Sequence, residues 1–94
     1  MTDVDLPSGW HWGVGEVTGG SKTYWFYSNL RFHYRGQIYT DPNQPWTVNF
    51  YEETGLTDNG DVKVCEYPCK YGTFESEEDA LWFVVTTAKE LLNY

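Results

Sequence analysis

The chain predicts an α+β fold, an antiparallel meander sheet of four to five strands with one C-terminal helix packed on one face. Three observations predict it. Aromatic and β-branched residues fill the first two thirds in short runs, separated by clusters of Gly, Pro, Asn and Asp. The last fifth changes to a helical period. A single helix cannot supply the crossovers that parallel strands would need, so the strands must run antiparallel.

The first strand spans Gly9 to Val17, with Trp10, Trp12 and Val14 on one side and His11, Gly13, Gly15 and Val17 on the other. Thr18-Gly19-Gly20-Ser21 turns the chain into a second strand, Thr23 to Ser28. There Tyr24 and Phe26 oppose Trp25 and Tyr27, so rings are available on both faces and the strand reads as central. Arg31 to Tyr34 continues the alternation, and Arg35-Gly36 predicts a hairpin break before Gln37 to Thr40. Asp41-Pro42-Asn43-Gln44-Pro45 is a rigid connection into a strand with Trp46, Val48 and Phe50 on one side. Gly55 to Asp61, carrying Asn59-Gly60, reverses the chain into a last strand starting at about Val62 and running to Tyr67.

Ser76 predicts the helix N-cap, because Asp79 follows three residues later and Glu77-Glu78-Asp79 suits the positive end of a helix dipole. At 100° per residue, Leu81, Val84, Val85, Ala88, Leu91 and Leu92 form one stripe facing the sheet, with Phe83 nearly opposite it. Residues 1–94 make one compact domain, since a chain this short buries only about 60 to 68% of its unfolded surface. Residues 1–8 are expected to be a flexible N-terminus.

Composition narrows the functional classes. Fourteen acidic against six basic residues give a net charge of −8, which disfavours direct nucleic-acid binding and anionic membranes. The two cysteines fall short of a disulfide framework, no apolar run spans a bilayer, and the first residues lack a signal-peptide pattern. A cytoplasmic protein is the expectation. No G-x-S-x-G elbow, carboxylate dyad or phosphate-cradling glycine loop is evident, so neither catalytic residues nor a cofactor are assigned and a non-enzymatic role is expected. His11, His33, Cys65 and Cys69 superficially offer four zinc ligands, but the histidines are far apart on different strands and no metal is assigned.

A protein-binding surface is the sharper expectation. Phe83, with Trp82 at its shoulder and Glu78, Asp79 and Glu90 around it, has the make-up of an aromatic anchor ringed by acids. Asp58, Asp61, Glu75 and Glu77 are candidates for a face that stands in for nucleic-acid phosphates. An alternative is a ligand- or single-stranded nucleic-acid-binding module stacking its target on Tyr24, Phe26, Phe32 and Tyr34, or carbohydrate on Trp10, Trp12 or Trp25. A further alternative is a structural homo-oligomer, a homodimer included.

Gly9-Trp10-His11-Trp12-Gly13 opening a sheet, with Phe74-x-Ser76 leading into a final helix, resembles the layout of small phage- or plasmid-borne proteins that include anti-CRISPR inhibitors. The resemblance implies a small, acidic, non-enzymatic protein that blocks a nucleic-acid-handling complex by occupying a surface. No site residue is carried over from it.

Overall fold

The computed structural model describes residues 4–28 and 34–91. In chain order they form β1 (Trp10–Thr18), β2 (Ser21–Ser28), β3 (Tyr34–Thr40), β4 (Trp46–Leu56), β5 (Val62–Val64), β6 (Lys70–Phe74) and α1 (Glu77–Leu91). Every strand pairing is antiparallel, and β1 to β4 follow one another as a meander. The α+β class and the single C-terminal helix are as the sequence predicts, with one strand more than expected.

The extra strand comes from the far edge of β4. Trp46 to Phe50 pair with β6, while Glu53 to Leu56 pair with β5, so β5 and β6 are two halves of one edge. Between them the amide of Cys65 donates to the Glu52 carbonyl (3.0 Å) and that of Cys69 to the Phe50 carbonyl (2.8 Å). Four residue steps on this edge therefore pass two on β4, and Glu66, Tyr67 and Pro68 are pushed out as a wide bulge. A strand read as continuous from Val62 to Tyr67 therefore stops after Val64, and Pro68, which has no amide hydrogen for the ladder, sits within the bulge. Lys70 to Phe74 resumes the strand as β6.

Two further readings are corrected. Arg35-Gly36 is not a hairpin; both residues lie within β3, opposite Tyr27 and Phe26. Gly36 is there because the Phe26 ring rests over it: a Cβ would run into that ring and come within 2.7 Å of the Asn49 carbonyl oxygen. The expected segment Arg31–His33 lies outside the described residues. In β1 the register shifts between Trp12 and Gly15, so the alternation breaks and Val14, expected beside Trp10 and Trp12, is exposed. The Gly19-Gly20 hairpin is as read, with φ of 57° and 88° at the two central positions of a two-residue turn.

The core lies between the sheet and α1. Phe26, Ile38, Val48 and Phe50 fill the sheet side, and Ala80, Val84, Ala88 and Leu91 the helix side. Trp10 closes one end, stacked on Tyr34 (5.8 Å between centroids) and edge-on to Phe50 (5.8 Å). The helix crosses β4 and β6. Residues 4–8, expected to be loose, are tied down: Val4 and Leu6 pack against the core, Trp12 Nε1 donates to the Val4 carbonyl (2.8 Å), and the Trp10 amide to that of Pro7 (3.0 Å).

Candidate functional site

Ser76 caps α1 as predicted, its hydroxyl accepting from the Asp79 amide at 3.1 Å. The acids of the first turn then sit against unpaired amides of the helix start, where their charge is favourable. The rotation of the helix differs from the expected one. Ala80 and Thr87 are buried alongside Val84 and Leu91, which turns the buried stripe by about 40° from the arc the large aliphatics define. Phe83 is thereby brought to the flank of the core. It is half-buried, 5.1 Å from the Phe74 ring and 6.3 Å from that of Phe50, and is not the solvent-facing anchor that the periodicity suggested.

The ring that faces solvent is Trp82, 69% exposed. Glu78 precedes it by four residues and Val85 follows by three, so all three share one side of the helix. The N-terminal segment runs past this side and completes a cleft of about 360 Å³ lined by Val4, Asp5, Glu78, Asp79, Leu81, Trp82 and Val85. Its walls are largely apolar and its carboxylates come from both the helix and the segment before β1. Of the residues expected to bind a partner, Trp82, Glu78 and Asp79 are brought together here. Glu90 is exposed two turns further along, outside the cleft lining. Val4 and Asp5 were not legible as contributors, because only the fold carries residues so distant in sequence to the helix.

The acids proposed as a phosphate surrogate fall into two groups. Glu75 and Glu77 adjoin Phe74, which is opposite Trp46 at one end of β4, whereas Asp58 and Asp61 occupy the turn beyond Leu56 at its other end. Ten residue steps separate Trp46 from Leu56, about 33 Å.

Cys65 and Cys69 are free thiols at the two ends of the bulge, and Cys65 Sγ donates to the Tyr67 carbonyl at 3.0 Å. Partial burial, with added repulsion from the Glu52 carboxylate and from Cys65, holds the Cys69 thiol above its ordinary pKa of 9.0. Of the histidines, the His11 ring lies 5.3 Å from that of Tyr27, tilted by 34°, and His33 lies outside the described residues. Among the described residues no three His, Cys, Asp or Glu side chains converge as metal ligands.

The aromatic platform read from the sequence is on the inner side of the sheet: Phe26 and Tyr34 are buried and Tyr24 is half-buried against the core, with Phe32 outside the described residues. Trp10 is buried too, and Trp12 half-buried. No described element covers the opposite face. There, cross-strand pairing aligns Trp25, Gln37, Asn49 and Tyr71 in one row, and His11, Tyr27, Arg35 and Tyr51 in the next. Arg35 Nε is 3.0 Å from Glu53 Oε1, and its guanidinium carbon lies 5.9 Å from the Tyr27 ring centre. Trp25, Arg35, Gly36, Gln37, Tyr51 and Val64 enclose a shallow depression of about 200 Å³.

Comparison of the chain with family models, curated proteins and solved structures finds no match. Among the described residues no helix is long and apolar enough to cross a membrane.

Proposed function

We propose that the protein is a non-enzymatic interaction module that docks a cationic, partly apolar segment of another protein into the cleft between α1 and residues 4–5. The exposed indole of Trp82 carries this reading. Acids at a helix start are explained by the dipole alone, but an indole left in water beside an apolar cleft is not. Burying such a ring removes roughly 150 to 250 Å² from water, and tryptophan is prominent among residues that dominate interface energies. The carboxylates of Asp5, Glu78 and Asp79 favour Lys or Arg on the partner and disfavour an acidic one.

Proteins that handle nucleic acids carry clustered Lys and Arg on their binding surfaces. Inhibition of such a complex by occlusion is therefore the most concrete form of the proposal, in keeping with the class of small inhibitors that the layout resembles. The division of the acids between the two ends of β4 favours local occlusion over mimicry of a continuous phosphate track.

The test compares the wild-type chain with Trp82→Ser and with the double variant Glu78→Gln, Asp79→Asn as baits in nuclease-treated lysate of the source organism. A stoichiometric partner is expected to be retained by wild type, lost with Trp82→Ser, and held by the double variant with a weaker salt dependence. Equal retention by Trp82→Ser would overturn the assignment to this cleft. Competition of the partner by DNA or RNA would identify the inhibitor form.

A further inference from the structure

The open face of the sheet is built mainly of hydroxylated rings, amides and small hydroxyl side chains. Outward positions of β2, β3 and β6, and of β4 as far as Glu53, hold Trp, Tyr, Thr, Ser, Gln, Asn and one ion pair, and the aliphatic beside them is Val64 of β5, opposite Glu53 at the rim of the depression. The phenylalanines of the described strands and helix, Phe26, Phe50, Phe74 and Phe83, all belong to the inner layer. The six-membered rings at these positions thus carry a hydroxyl or lie in an indole with an N–H; Tyr71 is 72% exposed and Trp25 39%, while Tyr27, Tyr39 and Tyr51 are half-buried. In a chain of net charge −8, the centre of this face is neutral, because Glu53 is matched by Arg35.

We infer that this face binds a neutral, linear, β-linked glycan chain. Sugar rings whose hydroxyls are equatorial present C–H groups on both faces and hydroxyls around the edge. Such a ring stacks flat on an indole or phenol while its rim bonds to planar amides, and the row Trp25, Gln37, Asn49, Tyr71 sets two amides between two rings across four strands. Trp25 and Tyr71 are three strand spacings apart, about 14 Å, so the ligand must be a chain and not a monosaccharide. Neutrality follows from charge: a phosphate- or carboxylate-bearing polymer meets a guanidinium already matched by a carboxylate, within a protein whose overall field repels it. A second copy of this chain suits the face less well, since the buried centres of homodimer interfaces are apolar, whereas the rows through Gln37 and Arg35 are amides, phenols and an ion pair, with Val64 at their margin.

The site is separate from the Trp82 cleft, and its test is arranged to keep the two apart. Affinity electrophoresis through soluble β-glucan and hydroxyethylcellulose, with calorimetric titration of cello-oligosaccharides, is run on wild type, Trp25→Ala, Tyr71→Ala and Trp82→Ser, each checked for unchanged thermal unfolding. Retardation of wild type is expected, weakened about tenfold by Trp25→Ala and by Tyr71→Ala and unchanged by Trp82→Ser. Tyr71 stands at the sheet edge, so its variant serves even where loss of Trp25 disturbs the sheet. The proposal is overturned if none of the neutral glycans binds, if both ring variants bind as wild type does, or if polygalacturonate or oligothymidylate binds more tightly. It is also overturned if Tyr71→Ala dissolves a dimer seen by sedimentation while no glycan binds.

Discussion

The two faces of the sheet are built from the same strands, residue by residue in alternation, yet the described phenylalanines are confined to the inner one, where Trp10 and Tyr34 join them, while the outer one holds Tyr and Trp alone among six-membered rings. Phe50 points into the core and is fully buried, packed at 4.8 Å against Phe26, whereas Tyr51, next in sequence, lies on the open face beside Arg35. An inner ring gains most by having no polar atom to satisfy. An outer ring must be compatible with water when unoccupied, which phenols and indoles allow. The contrast shows that the high aromatic content serves two purposes: dense packing for a small core, and a wettable platform.

The largest effect should separate those neighbours. Phe50→Ala is expected to lose about 3 to 5 kcal/mol, much of the stability of a domain this small, while Tyr51→Ala loses about 1 kcal/mol or less in the same urea titration. Equal losses would mean that the outer face is covered in solution. A smaller effect is expected at Gly36, where a methyl group must displace the Phe26 ring or the β4 backbone; Gly36→Ala should cost about 1 to 3 kcal/mol. A neutral result there would show that the inner face has slack that close packing denies it.

The smallest effect concerns the sheet margin. Because Cys69 has a raised folded pKa, the folded state holds its proton where the unfolded state releases it, and stability falls as pH rises above the unfolded value of about 9. Cys69→Ser should remove that part of the alkaline slope, measured by thermal unfolding between neutral and alkaline pH. In the native protein Cys69 should also alkylate more slowly than a free thiol at the same pH. Alkylation as fast as a free thiol would show the bulge to be open and unshielded.

Local chemistry made much of the fold legible. Gly19-Gly20 dictates a tight turn, Ser76 with Asp79 marks a helix start, and alternating rings mark strands. What was not legible depended on partners distant in the chain. Arg35-Gly36 resembles a turn until Phe26 is seen lying over the glycine. The end of β4 was hidden because Gly55 resembles a turn residue, although the strand continues to Leu56 past an irregularity in its pairing with β5. The helix was set with the wrong rotation because Ala80 and Thr87 carry little weight in a hydrophobic pattern yet fit closest to the sheet. Trp82 was therefore read as the shoulder of Phe83, when the order of exposure is the reverse.

The tryptophans have a consequence for light. Trp10 is buried, Trp12 and Trp46 are half-buried, and Trp25 and Trp82 are exposed, the first on a neutral face and the second beside carboxylates. Beside Asp5, Glu78 and Asp79, the Trp82 indole concentrates caesium and repels iodide, while Trp25 on its neutral face meets the two quenchers on more nearly equal terms. The emission of a single unlabelled chain thus contains two separable signals, and shielding from one quencher without the other tells which side of the molecule has been occupied.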